Sequence, residues 1–413
     1  MSKVAHSPQL RFPKFKSDWK ESRIGKIYKD LRTGSTPSRA VKSYFKGNNP
    51  WITSGELKYN RISTTFEQIT DEAIKDTNLV LYQPGTLFIA ITGLEAPGTR
   101  GKCAINAVPA TTNQSCLAFR KVDSVDNVYM FYWYLKYGIP LYFKYAQGTK
   151  QQSFNNKIVE KFQIFLPAKP EQQKIAAFLT AVDSKIEQLS KKQELLGEYK
   201  RGLMQKIFTQ EIRFKTDDGS EFPDWQEKKL GDVVSTPVSD GPHLTPKFVK
   251  KGIPFLSVNN LVESKIDFSD VRYISIDDHL VFSKKCKPKK GDVLLGKAAS
   301  VGKVAFVETD VEFNIWSPIA MIRPSNSNFS KYIYYCFQTR FILNQISKFT
   351  NSSSQGNIGM GDISKIIIKL PSKLEQTKIA NLLSSIDSKI EQVQKQLDST
   401  KELKKALLQQ MFV

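Results

Sequence analysis

The sequence predicts an α+β protein made of two globular halves of mixed helix and strand, each followed by a long helix. Three observations predict this fold class: an internal repeat, a heptad pattern of apolar residues in both copies of the repeat, and strand-like segments upstream of each copy. The chain has 413 residues, which is enough for two or three domains with hydrophobic cores of their own.

The internal repeat is strongest over a terminal segment of each half. Residues 165–208 align with residues 369–412 without a gap, and 21 of the 44 aligned positions are identical. The first copy contains LPAKPEQQKIA and DSKIEQ, and the second contains LPSKLEQTKIA and DSKIEQ. Weaker matches continue upstream, as in DWKE (18–21) against DWQE (224–227). The chain is therefore interpreted as a duplication.

The repeat divides the chain into five predicted segments. They are an N-terminal segment (1–17), a first globular domain (18–167), a central helical spacer (168–212), a second globular domain (213–371) and a C-terminal helical spacer (372–413). The globular domains have diverged strongly while the spacers have not. Two copies of one fold with different surfaces predict two related but distinct ligands.

Both spacers have the apolar spacing of long helices. Apolar residues recur every three or four positions at Ile175, Leu179, Val182, Ile186, Leu189, Leu196, Leu203 and Ile207, and at Ile379, Leu383, Ile386, Ile390, Val393, Leu397, Leu407 and Met411. Polar residues interrupt this seam at Gln193, Lys200, Thr400 and Lys404. A helix of ~38 residues is roughly 57 Å long. We expect the two helices to pack on each other; the alternative is that each packs on its own globular half.

The globular domains contain short strand-like and helix-like segments. Predicted strands are 50–53, 79–82, 87–91, 115–120, 254–258, 293–295, 304–307 and 319–322. Predicted helices are 128–136 and 331–344. Loops rich in glycine and serine separate these segments.

The charge is concentrated in the globular domains. The formal net charge is +21, and residues 1–170 carry 25 Lys and Arg against 12 Asp and Glu. Residues 213–374 carry 23 against 17. This excess favours a polyanionic partner, and nucleic acid is the first candidate. The alternative is a basic protein without such a partner.

The sequence also argues against several classes of protein. No apolar run reaches the ~18 residues of a membrane span, and no apolar stretch follows the basic N-terminus. The cysteines lie far apart, without a CxxC pair, at Cys103, Cys116, Cys286 and Cys336. We therefore expect a cytoplasmic protein without disulfides, metal or membrane contact.

Polar loop residues beside basic ones are the candidates for reading bases, because Arg suits guanine and Asn or Gln suits adenine. In the first domain they are Ser35, Thr36, Ser38, Arg39, Arg100, Lys102, Gln151 and Asn155. In the second domain they are Asp240, His243, Thr245, Asn259, Asn260, Lys297, Lys303 and Gln355. Any one of them could instead be an ordinary solvated or turn-forming residue.

Polar residues repeated in both spacers are candidates for a docking face. They are Glu171, Gln172, Lys174, Asp183 and Lys185 in the first spacer, and Glu375, Gln376, Lys378, Asp387 and Lys389 in the second. Two copies of one face can hold two copies of one partner. The alternative is solvated helix surface.

Catalytic motifs are missing from the sequence. There is no adjacent Pro-Pro for an Asn-Pro-Pro-Tyr methyltransferase motif and no GxGxxG after a strand. Gly296–Val304 has five residues between its glycines, where a P-loop has four, and ends in Val. With three histidines, acid–base chemistry has few groups available. We expect a non-catalytic protein.

The arrangement resembles the specificity subunit of type I restriction–modification systems. The resemblance rests on the order of the segments, with LPxxxEQxKIAxxL and DSKIEQ in each spacer, and on RTGSTPSRA and NNPWITSGEL between residues 32 and 57. The second domain departs from it, with STPVSDGPHLTP (235–246) in place of TGSTPSR.

The resemblance implies that each globular half is a target recognition domain reading one part of a bipartite double-stranded DNA site. It implies an antiparallel coiled coil with pseudo-two-fold symmetry from a single chain. It further implies two modification (methyltransferase) subunits that methylate adenine and two restriction (endonuclease and translocase) subunits. S-adenosylmethionine, ATP and Mg²⁺ would belong to those partners, with no cofactor in this chain.

Two alternatives from other classes remain at this stage. One is a non-catalytic assembly scaffold that is not tied to restriction and binds RNA or an acidic protein. The other is a nuclease. Sequence-dependent binding of duplex DNA without cleavage would separate the specificity subunit from both.

Overall fold

The computed structural model describes residues 7–325, 327–350 and 356–413. The strands of the first half are β1 (Lys20–Arg23), β2 (Arg32–Thr33), β3 (Asn49–Ile52), β4 (Asn60–Ile62), β5 (Gln68–Ile69), β6 (Leu87–Ala90), β7 (Cys103–Asn106), β8 (Thr111–Thr112), β9 (Cys116–Phe119) and β10 (Gln163–Leu166). Its α-helices are α1 (Ile24–Ile27), α2 (Asp71–Asp76), α3 (Asn127–Tyr145), α4 (Asn156–Glu160) and the long α5 (Lys169–Phe208). Single 3-10 turns lie at Lys42–Phe45 and Ser54–Glu56.

The second half repeats this order of elements with local differences. Its strands are β11 (Gln226–Lys229), β12 (Ser239–Asp240), β13 (Ile253–Leu256), β14 (Leu261–Val262), β15 (Lys265–Ile266), β16 (Arg272–Ile274), β17 (Val293–Gly296), β18 (Val304–Phe306), β19 (Asn314–Ile315), β20 (Ile319–Ile322) and β21 (Ile367–Leu370). Its α-helices are α6 (Leu230–Val233), α7 (Ile276–Ser283), α8 (Ser327–Cys336), α9 (Arg340–Phe349), α10 (Met360–Lys365) and the long α11 (Lys373–Gln410), with a 3-10 turn at Val258–Asn260.

The predicted α+β class is confirmed, and most predicted elements are present. Two local predictions are wrong. Residues 79–82 form no ladder; Tyr82 makes an isolated bridge with Ala110. The helix predicted over 331–344 is two helices, because Thr339 caps α9 with its hydroxyl, which accepts a hydrogen bond from the Ile342 amide at 3.4 Å.

The chain packs as two compact units, and the first contains the residues up to Lys191 together with those from Gln394 onward. Its main sheet has the order β2-β9-β6-β7-β4 and a smaller sheet the order β5-β3-β8. The strands β6, β7 and β9 are buried along their whole length. Their residues are apolar on both faces apart from Asn106 at the end of β7, whose side chain donates to the Tyr82 carbonyl at 3.0 Å. Helix α3 packs on β6 and β7 with an aromatic surface that includes Tyr129 and Trp133.

The second unit contains Lys192–Val393. Its main sheet has the order β12-β20-β17-β18 and a smaller sheet the order β16-β13-β19. Here β14 and β15 form a hairpin, whereas β4 of the first unit extends the main sheet by pairing parallel to β7. Helix α8 packs on β17 and β18. The two units therefore repeat one topology with local differences.

A glycine occupies the same place after the first strand of each main sheet. A Cβ atom at Gly34 would lie 1.5 Å from the Thr112 carbonyl oxygen, and one at Gly241 would lie 1.6 Å from that of Ile315. No side chain fits at such a separation, so both positions require glycine. Although 235–246 departs from the TGSTPSR pattern, the backbone makes the same close approach there.

The two long helices meet start to end within each unit. In the first unit, Ile175 near the start of α5 shares a hydrophobic core with Leu407 near the end of α11. In the second unit, Ile207 at the end of α5 shares a core with Ile379 near the start of α11. This is the antiparallel arrangement that we expected. Each helix start also packs on its own globular domain, so both packing modes considered from the sequence occur.

Candidate nucleic-acid interface

One edge of the main sheet in the first unit gathers the loops that carry the predicted base-reading residues. Ala90 at the end of β6 lies opposite Cys116 at the start of β9. The loop that follows β6 and the loop that precedes β9 therefore lie side by side at this edge. A fourth loop joins this edge because the Phe154 amide donates to the Ile91 carbonyl at 2.8 Å. We call the loops 34–41, 91–102, 113–115 and 147–154 the first reading edge.

The beginning of the 34–41 loop is held by neighbouring side chains. The buried Trp51 donates its indole N–H to the Ser35 carbonyl at 3.2 Å. The Thr36 hydroxyl donates to the Gln114 side-chain oxygen at 2.7 Å. Thr36 and Ser38 are exposed. These hydroxyl and amide groups are thus presented from a fixed backbone.

Arg39 is exposed but its guanidinium is already paired. It donates to both carboxylate oxygens of Glu67, at 2.8 Å for Nη2–Oε2, and lies 4.3 Å from the centre of the Phe45 ring. The hydrogen bond from Arg39 lowers the pKa of Glu67 below its usual value. A bidentate contact of Arg39 with guanine would require this pair to open.

Arg100 and Asn155 stabilise local structure at this edge. Arg100 donates to the carbonyls of Leu94 at 3.0 Å and Glu95 at 2.7 Å, inside its own loop. The Asn155 side chain caps α4 by accepting from the Ile158 amide at 2.9 Å. Of the two remaining candidates in the first domain, Gln151 is exposed. Lys102 is half-buried, and its ammonium lies 4.2 Å from the centre of the Tyr59 ring.

The second unit has an edge of the same construction. Gly296 at the end of β17 lies opposite Ile319 at the start of β20. The Ile358 amide donates to the Lys297 carbonyl at 2.9 Å, as Phe154 does to Ile91 in the first unit. We call the loops 241–248, 297–303 and 316–318 the second reading edge. Gln355, a predicted base reader, lies outside the described residues.

A buried carboxylate lies at the second reading edge. Asp240 is 4% exposed and its Oδ2 lies 3.3 Å from the ammonium of Lys297, which is 7% exposed. The Lys285 ammonium lies 2.5 Å from Asp240 Oδ1, and the exposed His243 lies 3.3 Å from Oδ2. Burial alone would raise the pKa of Asp240, but its hydrogen bonds and attraction to Lys285 and Lys297 outweigh burial and lower it.

The other candidates of the second domain differ in access. Thr245, Asn259 and Lys303 are exposed. Asn260 is buried and its side-chain oxygen accepts from the Ser257 amide at 2.9 Å, so this side chain closes a turn and is not presented to a ligand. Glu56 makes the equivalent bond in the first unit, accepting from the Thr53 amide at 2.6 Å.

The repeated Glu-Gln pairs of the spacers are internal, contrary to the docking hypothesis for these four residues. Glu171 and Glu375 have fully buried side chains. Arg11 donates to Glu171 at 2.7 and 2.8 Å, and Arg213 donates to Glu375 at 3.2 and 2.9 Å. Gln172 and Gln376 are buried beside them and donate to the carbonyls of Pro167 and Pro371 at 2.9 and 2.8 Å. Their repetition reflects the same internal bonds made twice.

The repeated aspartates explain two interruptions of the apolar seam. Lys404 lies 2.5 Å from Asp183, and Lys200 lies 2.6 Å from Asp387. A tyrosine hydroxyl also donates to each carboxylate at 2.7 Å. Asp183 and Asp387 are thus largely occupied within their units.

The lysines of the predicted docking face remain accessible to differing degrees. Lys174, Lys185 and Lys389 are exposed. Lys378 is half-buried and its ammonium lies 2.7 Å from Asp217. Docking through these lysines stays a prediction.

Two residues that the sequence did not single out lie near the reading edges. Phe66 is 86% exposed and adjoins Glu67, the partner of Arg39. Lys285 bonds to Asp240, although it lies in the lysine-rich run KKCKPKK (284–290), where nothing distinguishes it from its neighbours.

The positional match of Lys200 with Lys404 is a sequence signal that could have revealed their common role.

Comparison with known proteins decides the family. Residues 16–196 and 223–402 match the model of the type I restriction modification DNA specificity domain. The chain belongs to this family. The two matched copies are the two halves of the duplication, and the family is the one that the sequence resembles.

Specificity subunits are found among its relatives over nearly the whole chain. The type I restriction enzyme MjaIX specificity subunit of Methanocaldococcus jannaschii is 29% identical, and the alignment covers 96% of this chain and 95% of the relative. The MjaVIII specificity subunit of the same organism is 25% identical over 97% and 92%.

Solved structures share the fold. The type I restriction–modification S subunit from M. genitalium is 15% identical with a TM-score of 0.63, covering 98% of this chain and 99% of the other. A chain from a structure concerned with complex assembly and conformational transition of the type I R-M system is 17% identical with a TM-score of 0.53, covering 96% and 97%.

The described residues contain neither a membrane-spanning helix nor a cluster of metal ligands. None of their helices combines the length and apolarity needed to cross a membrane. Among the same residues, no three or more His, Cys, Asp or Glu side chains are grouped as metal ligands.

Proposed function

We propose that this specificity subunit reads a bipartite double-stranded DNA site, with one half-site for each reading edge. The observation that supports this most directly is that two edges of one topology carry different side chains. The first presents Thr36, Ser38 and Gln151, whereas the second presents a cluster of charged groups around Asp240. Two edges that share a backbone topology but carry different side chains suit two DNA segments of different sequence.

The basic surface would supply the part of the affinity that does not depend on sequence. The globular domains carry the positive excess of the chain. Contacts of lysine and arginine with phosphates fix register on the duplex, and loop side chains discriminate base edges. Holding both half-sites also permits the chain to stabilise a distorted duplex.

The chemistry would belong to partner subunits. We propose that two modification subunits dock on the repeated spacers through exposed residues such as Lys174, Lys185 and Lys389, and that two restriction subunits join them. S-adenosylmethionine, ATP and Mg²⁺ would be bound by those partners, in the cytoplasm. This chain would orient the DNA while a modification subunit acts on an adenine turned out of the stack.

Two measurements test the proposal. Methylome sequencing of a methylation-free host that expresses the chain with its modification subunit should give one bipartite adenine-methylated motif. Filter binding should show sequence-dependent affinity for duplex DNA with no cleavage by the chain alone. Equal affinity for all duplexes and for RNA would contradict the proposal and favour a general nucleic-acid scaffold.

A further inference from the structure

The charged cluster at the second reading edge is organised around a carboxylate that cannot itself face a ligand. Asp240 Oδ1 accepts from Lys285, and Oδ2 lies within 3.3 Å of both Lys297 and His243. Asp240 is 4% exposed and each of its oxygens already has a basic neighbour, so the carboxylate is covered by the protein and offers little surface to an incoming donor. Asp240 therefore orients the side chains beside it and does not contact a ligand itself.

Of the two lysines beside Asp240, Lys285 is the one that faces outward. Its ammonium donates to Asp240 Oδ1 at 2.5 Å and to the Gly241 carbonyl at 3.2 Å, while the side chain is 53% exposed. An ammonium has three N–H donors, so one remains for an acceptor outside the protein. A free lysine would sample many rotamers, and two fixed bonds remove most of that freedom before any ligand binds.

Lys297 has a different part in the cluster. It is 7% exposed and lies beside the same carboxylate. A buried ammonium and a buried carboxylate are each costly when alone, and the pair keeps Asp240 ionised in its buried position. Lys297 therefore supports the anion that holds Lys285.

The first reading edge lacks this arrangement at the corresponding positions. Thr33 occupies the place of Asp240, because Thr33 in β2 pairs with the second residue of β9 and Asp240 in β12 pairs with the second residue of β20. Ile91 occupies the place of Lys297, following β6 as Lys297 follows β17. The charged cluster is therefore a property of the second half alone and not part of the duplicated fold.

We propose that Asp240 is a positioning residue that orients Lys285 toward guanine, so that the second reading edge recognises a G·C base pair. The inference rests on the proposed function and names one base that it reads. Guanine presents the acceptors O6 and N7 in the major groove, and lysine is a usual donor to them. The one N–H of Lys285 that remains would donate to O6, where adenine carries an amino group instead. The exposed His243 lies beside the other oxygen of the same carboxylate.

The competing reading is that Lys285 binds a DNA phosphate. The two contacts differ in what a substitution removes. Loss of a base contact relaxes specificity at one position, whereas loss of a phosphate contact weakens binding to all sequences and reduces the salt dependence by about one counterion.

The test uses the full chain with its modification subunit. First, methylome sequencing of the wild type and of Lys285→Ala compares the two motifs. We expect one G·C position of the second half-site to become degenerate while the first half-site is unchanged. Next, the Kd is measured for a duplex carrying the motif and for one with that pair replaced by A·T. Since one mismatched base pair usually costs about 1–3 kcal/mol, the wild type should discriminate by roughly 5- to 150-fold, and Lys285→Ala should bind both duplexes alike.

Two further variants complete the experiment. Lys290→Ala is the matched control, because Lys290 precedes β17 at the opposite end of the strand from Lys297 and pairs with the exposed Asp310 at 3.0 Å; it should leave the motif unchanged. Asp240→Asn should lose the same discrimination as Lys285→Ala while retaining Lys285. Thermal melting establishes that each variant is folded.

The outcomes distinguish failure of the guanine contact from failure of the proposed function. A uniform loss of affinity with a smaller salt slope for Lys285→Ala would assign Lys285 to phosphate and overturn the inference while leaving the proposed function intact. An unchanged motif would also overturn it. A wild-type complex without sequence preference would overturn the proposed function itself.

Discussion

The residue pairs Arg11–Glu171 and Arg213–Glu375 occupy matching places in the two units. Each glutamate is fully buried and each arginine also donates to backbone carbonyls that precede the first strand of its unit. The pair therefore fastens the chain segment entering each globular domain to the start of the helix leaving it. A guanidinium suits this position because its planar fork reaches the carboxylate and the backbone together.

Removing one member of such a pair should be costly. Arg213→Met leaves the buried Glu375 carboxylate without its cationic partner and with the Trp225 indole N–H, at 3.2 Å, still donating to it. We expect the variant to lower the free energy of unfolding by about 3 kcal/mol. Urea denaturation followed by circular dichroism measures the change. Lys215→Met is the control, because Lys215 pairs with Glu221 on the surface at 3.1 Å and should cost about 0–1 kcal/mol. Equal losses in both variants would contradict the structural role of Glu375.

Glycine at position 34 gives a second residue-scale prediction. Gly34→Ala places a methyl group against the Thr112 carbonyl, so the loop or strand β8 must move. We expect a loss of about 3 kcal/mol or more in stability, or loss of DNA binding by the first half. In Gly202→Ala the new Cβ meets nothing within 4 Å, and Gly202 lies on α5 outside the reading edges, so this variant should melt no lower than the wild type and bind DNA like it. Thermal melting and filter binding of both variants provide the comparison.

At the scale of elements, the long helices combine an apolar seam with two lysines inside it. Lys200 and Lys404 occupy matching positions in the repeat and bond to Asp387 and Asp183. A polar pair within a helix seam costs stability compared with apolar residues, yet it fixes which segments face each other. The ion pairs thus specify the register in which the helix ends meet.

This role predicts a difference between adjacent lysines. Lys404→Met removes the partner of Asp183, and we expect a loss of about 1–3 kcal/mol. Lys405→Met, its neighbour on the exposed side, removes only a surface contact to Glu402 at 3.7 Å and should change stability by about 0.5 kcal/mol or less. Differential scanning calorimetry of both variants checks this. A larger loss for Lys405→Met would show that the seam is placed wrongly.

Most helices and strands could be predicted from the sequence, because periodicity and capping depend on residues that are close together in the chain. The heptad spacing predicted α5 and α11, and short continuous apolar runs predicted β6, β9, β17 and β20. Side-chain roles that depend on distant partners were less accessible. Glu171 and Asn260 looked exposed from their neighbours in sequence, but Arg11 and the 257–260 turn bury them. Lys285 required the position of Asp240, which only the folded sheet supplies.

At the scale of the whole molecule, duplication with divergence predicts that the halves read DNA independently. Replacing residues 222–370 with the corresponding segment of another family member should change one half-site and preserve the other. The repeated spacers remain in place in such a chimera, so partner docking should persist. Methylome sequencing of the chimera measures both half-sites in one experiment. A simultaneous change in both would contradict independent reading.

The division of each long helix between the units has a consequence for how the protein is made. Tyr129 of the first unit stacks against Phe412, and Met411 lies in the same core. Ribosomes release residues in order, so the first unit emerges early but waits for its last packing partners until the second has been synthesised. A nascent chain interrupted after residue 393 would carry an unclosed apolar surface on its oldest part. Surveillance by chaperones and proteases would therefore act on the N-terminal half of shortened products.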